Sequence, residues 1–211
     1  VQGAELPSQS GNAGQVLKTD GSTLSWGQGG GMVLLESAVI PTTPELNSIE
    51  YQTIFQDNPE YDHFVMYATF ATSNSGVPQL FMRLRNSGGF RTDAEYRWVS
   101  AHPYIENTNT PNINAHGNHG STQFQLHGTN GFLGGSVDYF KMDIELHFSR
   151  PMDANGRTVV QWKTLGQESS QMNVHTGGGL VAVTEAHLGF SIYASTDTFR
   201  KGGYSIFGVA K

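Results

Sequence analysis

Apolar and polar residues alternate with period two along most of this chain, and no stretch sustains a helical period. The clearest run is Val137 to Phe148. There Phe140, Met142, Ile144, Leu146 and Phe148 share one face, opposite Tyr139, Lys141, Asp143, Glu145 and His147. Asp62 to Ala71 sets Phe64, Met66, Ala68 and Phe70 against His63, Val65, Tyr67 and Thr69. Gln79 to Asn86 sets Leu80, Met82 and Leu84 against Phe81, Arg83 and Arg85. Met32 to Ile40 is a largely apolar strand ended by Pro41 and Pro44. Shorter candidates are Tyr96 to Val99, Thr122 to His127, Thr158 to Thr164, Leu180 to Thr184, Leu188 to Ala194 and Tyr204 to Val209. Many half-buried strands separated by turn residues predict an all-β fold, an antiparallel β-sandwich of jelly-roll type.

The N-terminal end has a different design. Asp20-Gly21 is a two-residue type I′ turn signal, because both central positions need positive φ. Counting outward pairs Thr19 with Ser22, Lys18 with Thr23, Leu17 with Leu24 and Gln15 with Trp26. Leu17, Leu24 and Trp26 then share one face of the hairpin. Three apolar side chains do not stabilise an isolated ribbon in water, so the unit needs a partner, and the simplest is another copy of itself. Gly27-Gln28-Gly29-Gly30-Gly31 follows as a flexible joint. It lacks the Lys-Ser/Thr and the following helix of a phosphate-binding loop. The division expected is a hairpin collar with its linker over residues 1–31 and a sandwich head over 32–211.

Two stretches carry a resemblance. Leu6-Pro7-Ser8-Gln9, Gly11-Asn12, Gly14, Leu17, Thr19-Asp20-Gly21 and Ser25-Trp26 are similar to a "LPSQ-TGN-xGKxLTTDGTxxSW" module of bacteriophage tail fibres and related virion appendages. Tyr61-Asp62-His63-Phe64-Val65-Met66-Tyr67, Gln79 to Arg85, Gly88-Gly89-Phe90 and the ending Gly203 to Val209 resemble a β-sandwich head domain of phage fibres and other virion surface proteins. The resemblance implies a collar just before the distal head of a trimeric fibre, with Leu17, Leu24 and Trp26 at the trimer contact. It further implies location on the virion and other virion proteins joined at the N-terminal end. Residues between Ser100 and Ser121 have no counterpart that aligns.

Composition narrows the function classes. Charged residues make up 14% of the 211 residues, and there are 26 Gly, against roughly 25% charged in an average domain. The net charge of −6 argues against a nucleic-acid partner, which needs clustered Lys and Arg. With no Cys there is no disulfide framework, thiol nucleophile or Cys-based metal site. No apolar run approaches the roughly 18 residues of a membrane span, and no signal peptide is visible. Val1 in place of Met points to a chain that begins mid-protein.

Candidate chemistry is sparse. His116-Gly-Asn-His119, with His102 and His127 around it, could ligate a metal. A His-x-x-His in a loop fixes no geometry, so polar loop histidines are the simpler reading, and neither metal nor cofactor is expected. Asp143 and Glu145, about 7 Å apart on one strand face, fall within the span used by glycosidases. Lys141 and His147 around them suggest instead an exposed, charge-interleaved face. No Gly-x-Ser-x-Gly elbow is present. Trp98 and Trp162 suit sugar stacking but fit a sandwich core better. From Ala101 to Gly120 run about 20 residues without periodicity, more than the 12–15 beyond which loops are usually functional or disordered. Tyr104, Asn107, Asn109, Asn112, Asn114, His116 and His119 there offer donors, acceptors and a ring face. They are the receptor-binding candidates.

The function expected is that of a non-catalytic receptor-binding fibre head, adhering to a host surface polysaccharide or outer-membrane component. The alternatives are a capsid decoration or capsid-fibre protein and a glycan depolymerase.

Overall fold

The computed structural model describes residue 8 and residues 15–19, 22–28, 31–72, 79–105, 111–127, 142–168, 171–195 and 198–209. Its strands are β1 (Gln15–Thr19), β2 (Leu24–Gln28), β3 (Met32–Ile40), β4 (Ser48–Tyr51) and β5 (His63–Thr72). Next come β6 (Leu80–Asn86), β7 (Gly89–Phe90), β8 (Tyr96–Ile105), β9 (Pro111–Ser121) and β10 (Phe124–His127). The last five are β11 (Met142–Ser149), β12 (Val159–Glu168), β13 (Gln171–Val181), β14 (Gly189–Ala194) and β15 (Phe199–Val209). All pairings between them are antiparallel. The chain is all-β, as the alternation predicts.

Eight strands form one sheet in the order β3-β15-β5-β11-β12-β13-β8-β9. A second sheet runs β10-β6-β14-β4, with β7 paired to β6. Between them lies the core that period two places there. Phe64, Met66, Ala68 and Phe70 of β5 and Met142, Ile144, Leu146 and Phe148 of β11 are buried from the large sheet. Leu80, Met82 and Leu84 of β6 and Phe190 and Ile192 of β14 face them from the small one. Phe55, on the turn after β4, stitches the layers: its ring lies 4.8 Å from Phe64, 5.1 Å from Phe148 and 5.8 Å from Phe190. Asp143 is exposed and Glu145 half-buried, so the register read for this strand holds at every described position. Phe140 and Lys141 lie outside the described residues.

The structure corrects three readings. The hairpin pairs Thr19 with Leu24, Lys18 with Ser25 and Leu17 with Trp26, a register two residues away from the expected one. Four residues, not two, connect the strands. Because the slip is even, Leu17, Leu24 and Trp26 still share a face. β2 also continues through Gly27-Gln28, into the expected joint. The hairpin forms a two-stranded sheet of its own.

Second, the described parts of Ala101 to Gly120, residues 101–105 and 111–120, are strand and not loop. β9 pairs with β8 from Tyr96↔Ser121 to Ile105↔Pro111, and only residues 106–110 connect the arms. β9 reads Pro-Asn-Ile-Asn-Ala-His-Gly-Asn-His-Gly-Ser, so it carries almost no apolar alternation to see. Its pairing satisfies backbone groups that a long loop would leave to water.

Third, the strand expected to start at Leu180 begins at Gln171. Its glycines hide it from a hydrophobicity reading, yet packing requires them. A Cβ on Gly177 would lie 2.4 Å from Trp162 Cζ2, and one on Gly179 would lie 2.5 Å from Arg97 O and 2.6 Å from Phe124 Cε1. Trp162 is 2% exposed and belongs to the core, and Trp98 packs half-buried against it.

Candidate functional site

The predicted receptor-binding residues separate by face. Register places Tyr104 opposite Asn112, His102 opposite Asn114 and Ser100 opposite His116. Ser100 and His102 are buried, so the Ser100–His116 and His102–Asn114 pairs lie on the inner side of the β8–β9 ribbon, where Asn114 and His116 are half-buried. His119 pairs with Arg97 on the opposite, exposed side. Asn107 and Asn109 lie outside the described residues. In the hairpin collar, Leu17 is 40% exposed, while Leu24 and Trp26 are half-buried.

Beneath the inner row is a group of histidines that the sequence scattered over three segments. His102 (β8), His127 (β10) and His175 (β13) are all buried. The His175 ring lies 3.9 Å from both His102 and His127. His127 Nδ1 is 2.9 Å from the Thr164 hydroxyl, whereas His175 Nδ1 has no hydrogen-bond partner. Burial first, then the neighbouring imidazoles, pushes His127 well below the ordinary histidine range. For the same reasons His175 is held down at about 3. The His127 and His175 rings are neutral at physiological pH and serve as polar core.

A second group lies on the outer face of the large sheet, where β5, β11 and β12 run side by side. Period two and the register align His63, Val65, Tyr67 and Thr69 with Ser149, His147, Glu145 and Asp143, and these with Val159, Gln161, Lys163 and Leu165. The Thr69 hydroxyl donates to Asp143 at 2.6 Å. Glu145 Oε1 is 2.8 Å from His147 Nε2, His147 Nδ1 is 3.1 Å from His63 Nε2, and His63 Nδ1 is 3.2 Å from Ser149 Oγ. For two neutral rings, a carboxylate that only accepts sets the direction of the whole chain. His147 donates from Nε2 to Glu145, His63 donates from Nε2 to His147 Nδ1, and the Ser149 hydroxyl donates to His63 Nδ1. Partial burial, then the adjacent His147, lowers the pKa of His63 and favours its neutral form.

Beside this chain of bonds, Tyr67 is 42% exposed, and its ring meets Phe207 edge-on at 6.1 Å. An open groove of about 390 Å³ adjoins it, lined on the outer face by Ser37, Val39, Tyr67, Thr69 and Ser205. Gly203, between Val39 and Thr69 in register, adds no side chain to its floor. The surface presents a phenol ring, hydroxyls, two carboxylates, an ammonium and imidazoles on rigid strands. Such a mixture suits a polyhydroxylated ligand. Acyl-transfer chemistry would also need free donors where an oxyanion develops. β11 is paired on both sides, and Arg150 N–H donates to Asp62 O at 2.6 Å, so the N–H groups around Ser149 are committed. The sequence shows His63, Tyr67, Glu145 and His147 as outward residues of their strands. It holds no local signal that joins them.

Fold and site together define an all-β sandwich protein with one open polar and aromatic sheet face. Among the described residues, no helix is long and apolar enough to cross a membrane. No family model matches the chain, and no curated protein matches it. Among solved structures, it is similar to the crystal structure of the marine PL-14 alginate lyase from Aplysia kurodai. That similarity is at 10% identity and a TM-score of 0.30, over 93% of this chain and 86% of that one. A likeness at that score carries no argument about this chain's activity.

Proposed function

We propose that this protein is the distal, receptor-binding part of a bacteriophage fibre or similar virion appendage, and that it adheres without covalent chemistry to a host surface polysaccharide. The observation that carries the reading is the outer face around Tyr67, Asp143, Glu145, His147 and Lys163. It offers ring stacking and a dense row of hydrogen-bonding groups beside an open groove. The virion setting rests on the resemblance of residues 6–26 and of the sandwich strands to fibre proteins. Leu17 and Trp26, paired across a ribbon too small to bury them, support self-association into a homotrimer. In this reading the N-terminal end joins other virion proteins and the sheet face meets the host. The β8–β9 hairpin remains a second contact region, through His119 on its exposed side.

The test is adsorption of the purified protein to a panel of bacterial cells and to an array of bacterial surface polysaccharides, with Tyr67→Ala beside the native chain. Saturable binding that Tyr67→Ala weakens supports the reading. Absence of binding to every cell and glycan on the panel refutes adhesion through this face. Release of reducing ends from a bound glycan would replace the adhesin with a depolymerase.

A further inference from the structure

The facing imidazoles of His63 and His147 suit a second task besides glycan adhesion. Their nitrogens Nε2 and Nδ1 approach to 3.1 Å across neighbouring strands, with the rings 5.4 Å apart and inclined by 42°. Two imidazoles on one tetrahedral ion, with bonds of about 2.0–2.1 Å, hold their nitrogens about 3.4 Å apart. The pair is therefore within a few tenths of an ångström of a two-nitrogen bite. The far nitrogen of each ring is already held by oxygen, His63 Nδ1 by Ser149 Oγ and His147 Nε2 by Glu145 Oε1. With the His63 proton on Nδ1, each far nitrogen donates to an oxygen, the arrangement that fixes ring direction in histidine metal sites, including a carboxylate behind one ring. The pair is also reachable: the His147 side chain is 30% exposed, and His63 is half-buried.

We propose that His63 Nε2 and His147 Nδ1 form a surface binding site for one borderline divalent transition-metal ion of the Zn²⁺, Ni²⁺ or Cu²⁺ kind. On binding, the His63 proton moves from Nε2 to Nδ1, the Ser149 hydroxyl turns from donor to acceptor, and His63 Nε2 and His147 Nδ1 each give a lone pair to the ion. Two strands supply two ligands, so the remaining positions are filled by water or by oxygens of a bound molecule. Two imidazoles and no carboxylate in direct contact select against Ca²⁺ and Mg²⁺, which demand oxygen. Ser149 and Glu145 are positioning residues that orient the rings. The site stands independently of the adhesin reading, because it needs no glycan. It is also distinct from the buried His102, His127 and His175, which lie on the other side of the sheet. Among the described residues no group of three donors converges on one point, so the pair and its two oxygen supports carry the whole proposal.

The experiment is titration of the tag-free full chain with ZnCl₂ and separately NiCl₂. It is followed by calorimetry and by the imidazole resonances in NMR, with MgCl₂ as control. One ion per chain is expected, with shifts confined to His63 and His147 and no response to Mg²⁺. His63→Gln and His147→Ala should each abolish the heat. Ser149→Ala and Glu145→Gln should weaken affinity by about 10–100-fold. Circular dichroism checks that each variant is folded, and the ring resonances of the native chain report the site even if one variant is not. Three results would each overturn the proposal: no binding, binding that survives both His63→Gln and His147→Ala, and binding lost only in His175→Gln. The last would put the ion in the buried group.

Discussion

Acidification is the sharpest perturbation of this fold, because the sandwich keeps histidines away from water. His127, His175 and His187 are 2%, 1% and 0% exposed. The groups facing His175 are imidazoles and a hydroxyl: His102 from β8, His116 from β9, His127 from β10 and Thr164 from β12. Protonating it would put a charge in the core with no anion among them. Burial and these neighbours hold His175 at about 3. Burial also brings His187 to about 4, against the opposing pull of Glu185. Each folded value lies below the unfolded value of about 6.5, so the unfolded chain binds more protons between them, and stability falls as pH drops through that window. The penalty is absent above about pH 6.5 and grows by about 1.4 kcal/mol per pH unit per histidine. At pH 5 it reaches about 2 kcal/mol for His175 alone, and His187 and His127 add to it with the same sign. Losses of this size are a large part of the roughly 5–15 kcal/mol that holds a domain together.

The assay is urea unfolding at several values between about pH 7 and pH 5, for the native chain and His175→Gln. The variant removes one titrating group without adding charge. The native chain should lose stability steadily below about pH 6.5, and His175→Gln should lose about 1.4 kcal/mol less per pH unit near pH 5. A native stability that stays flat down to pH 5, or identical slopes for the two proteins, would refute the reasoning.

Other outcomes are expected from the same structure. Light scattering at micromolar concentration should give a trimer mass, and a monomer mass would remove the collar argument from Leu17 and Trp26. Gly179→Val should destabilise the head by about 3 kcal/mol, because the new side chain meets Arg97 O and Phe124. Gly178→Ala, whose Cβ finds only ordinary contact 3.5 Å from Val160 O, should stay within about 1 kcal/mol of the native chain by thermal melt. Phe55→Ala should cost about 3–5 kcal/mol, since its ring fills the space between the sheets. Tyr67→Ala should leave the melting temperature unchanged. It should weaken glycan binding roughly three- to tenfold, the equivalent of about 0.5–1.5 kcal/mol for a ring contact.

The alternation of residues determined much of this protein before any pairing was known. Leu80, Met82 and Leu84, or Met142, Ile144, Leu146 and Phe148, must turn one way because a strand sends successive side chains to opposite faces. A sandwich is what buries so many one-sided strands. Where apolar residues run out, the pattern falls silent. β9 is rich in Asn, His and Gly, and β13 before Leu180 mixes Gln, Asn, His and Thr with three glycines, so the backbone pairing with β8 and β12 is what makes them strands. The Asp20-Gly21 signal located the hairpin, but the turn closes over four residues. Neighbours across the sheets were beyond the sequence altogether. His63 meets His147 over a separation of 84 residues, and His102, His127 and His175 come from strands of two different sheets. Periodicity is a local property of the chain. Which strands lie side by side is decided by closing loops and packing the core, and those choices alone set the imidazoles against one another.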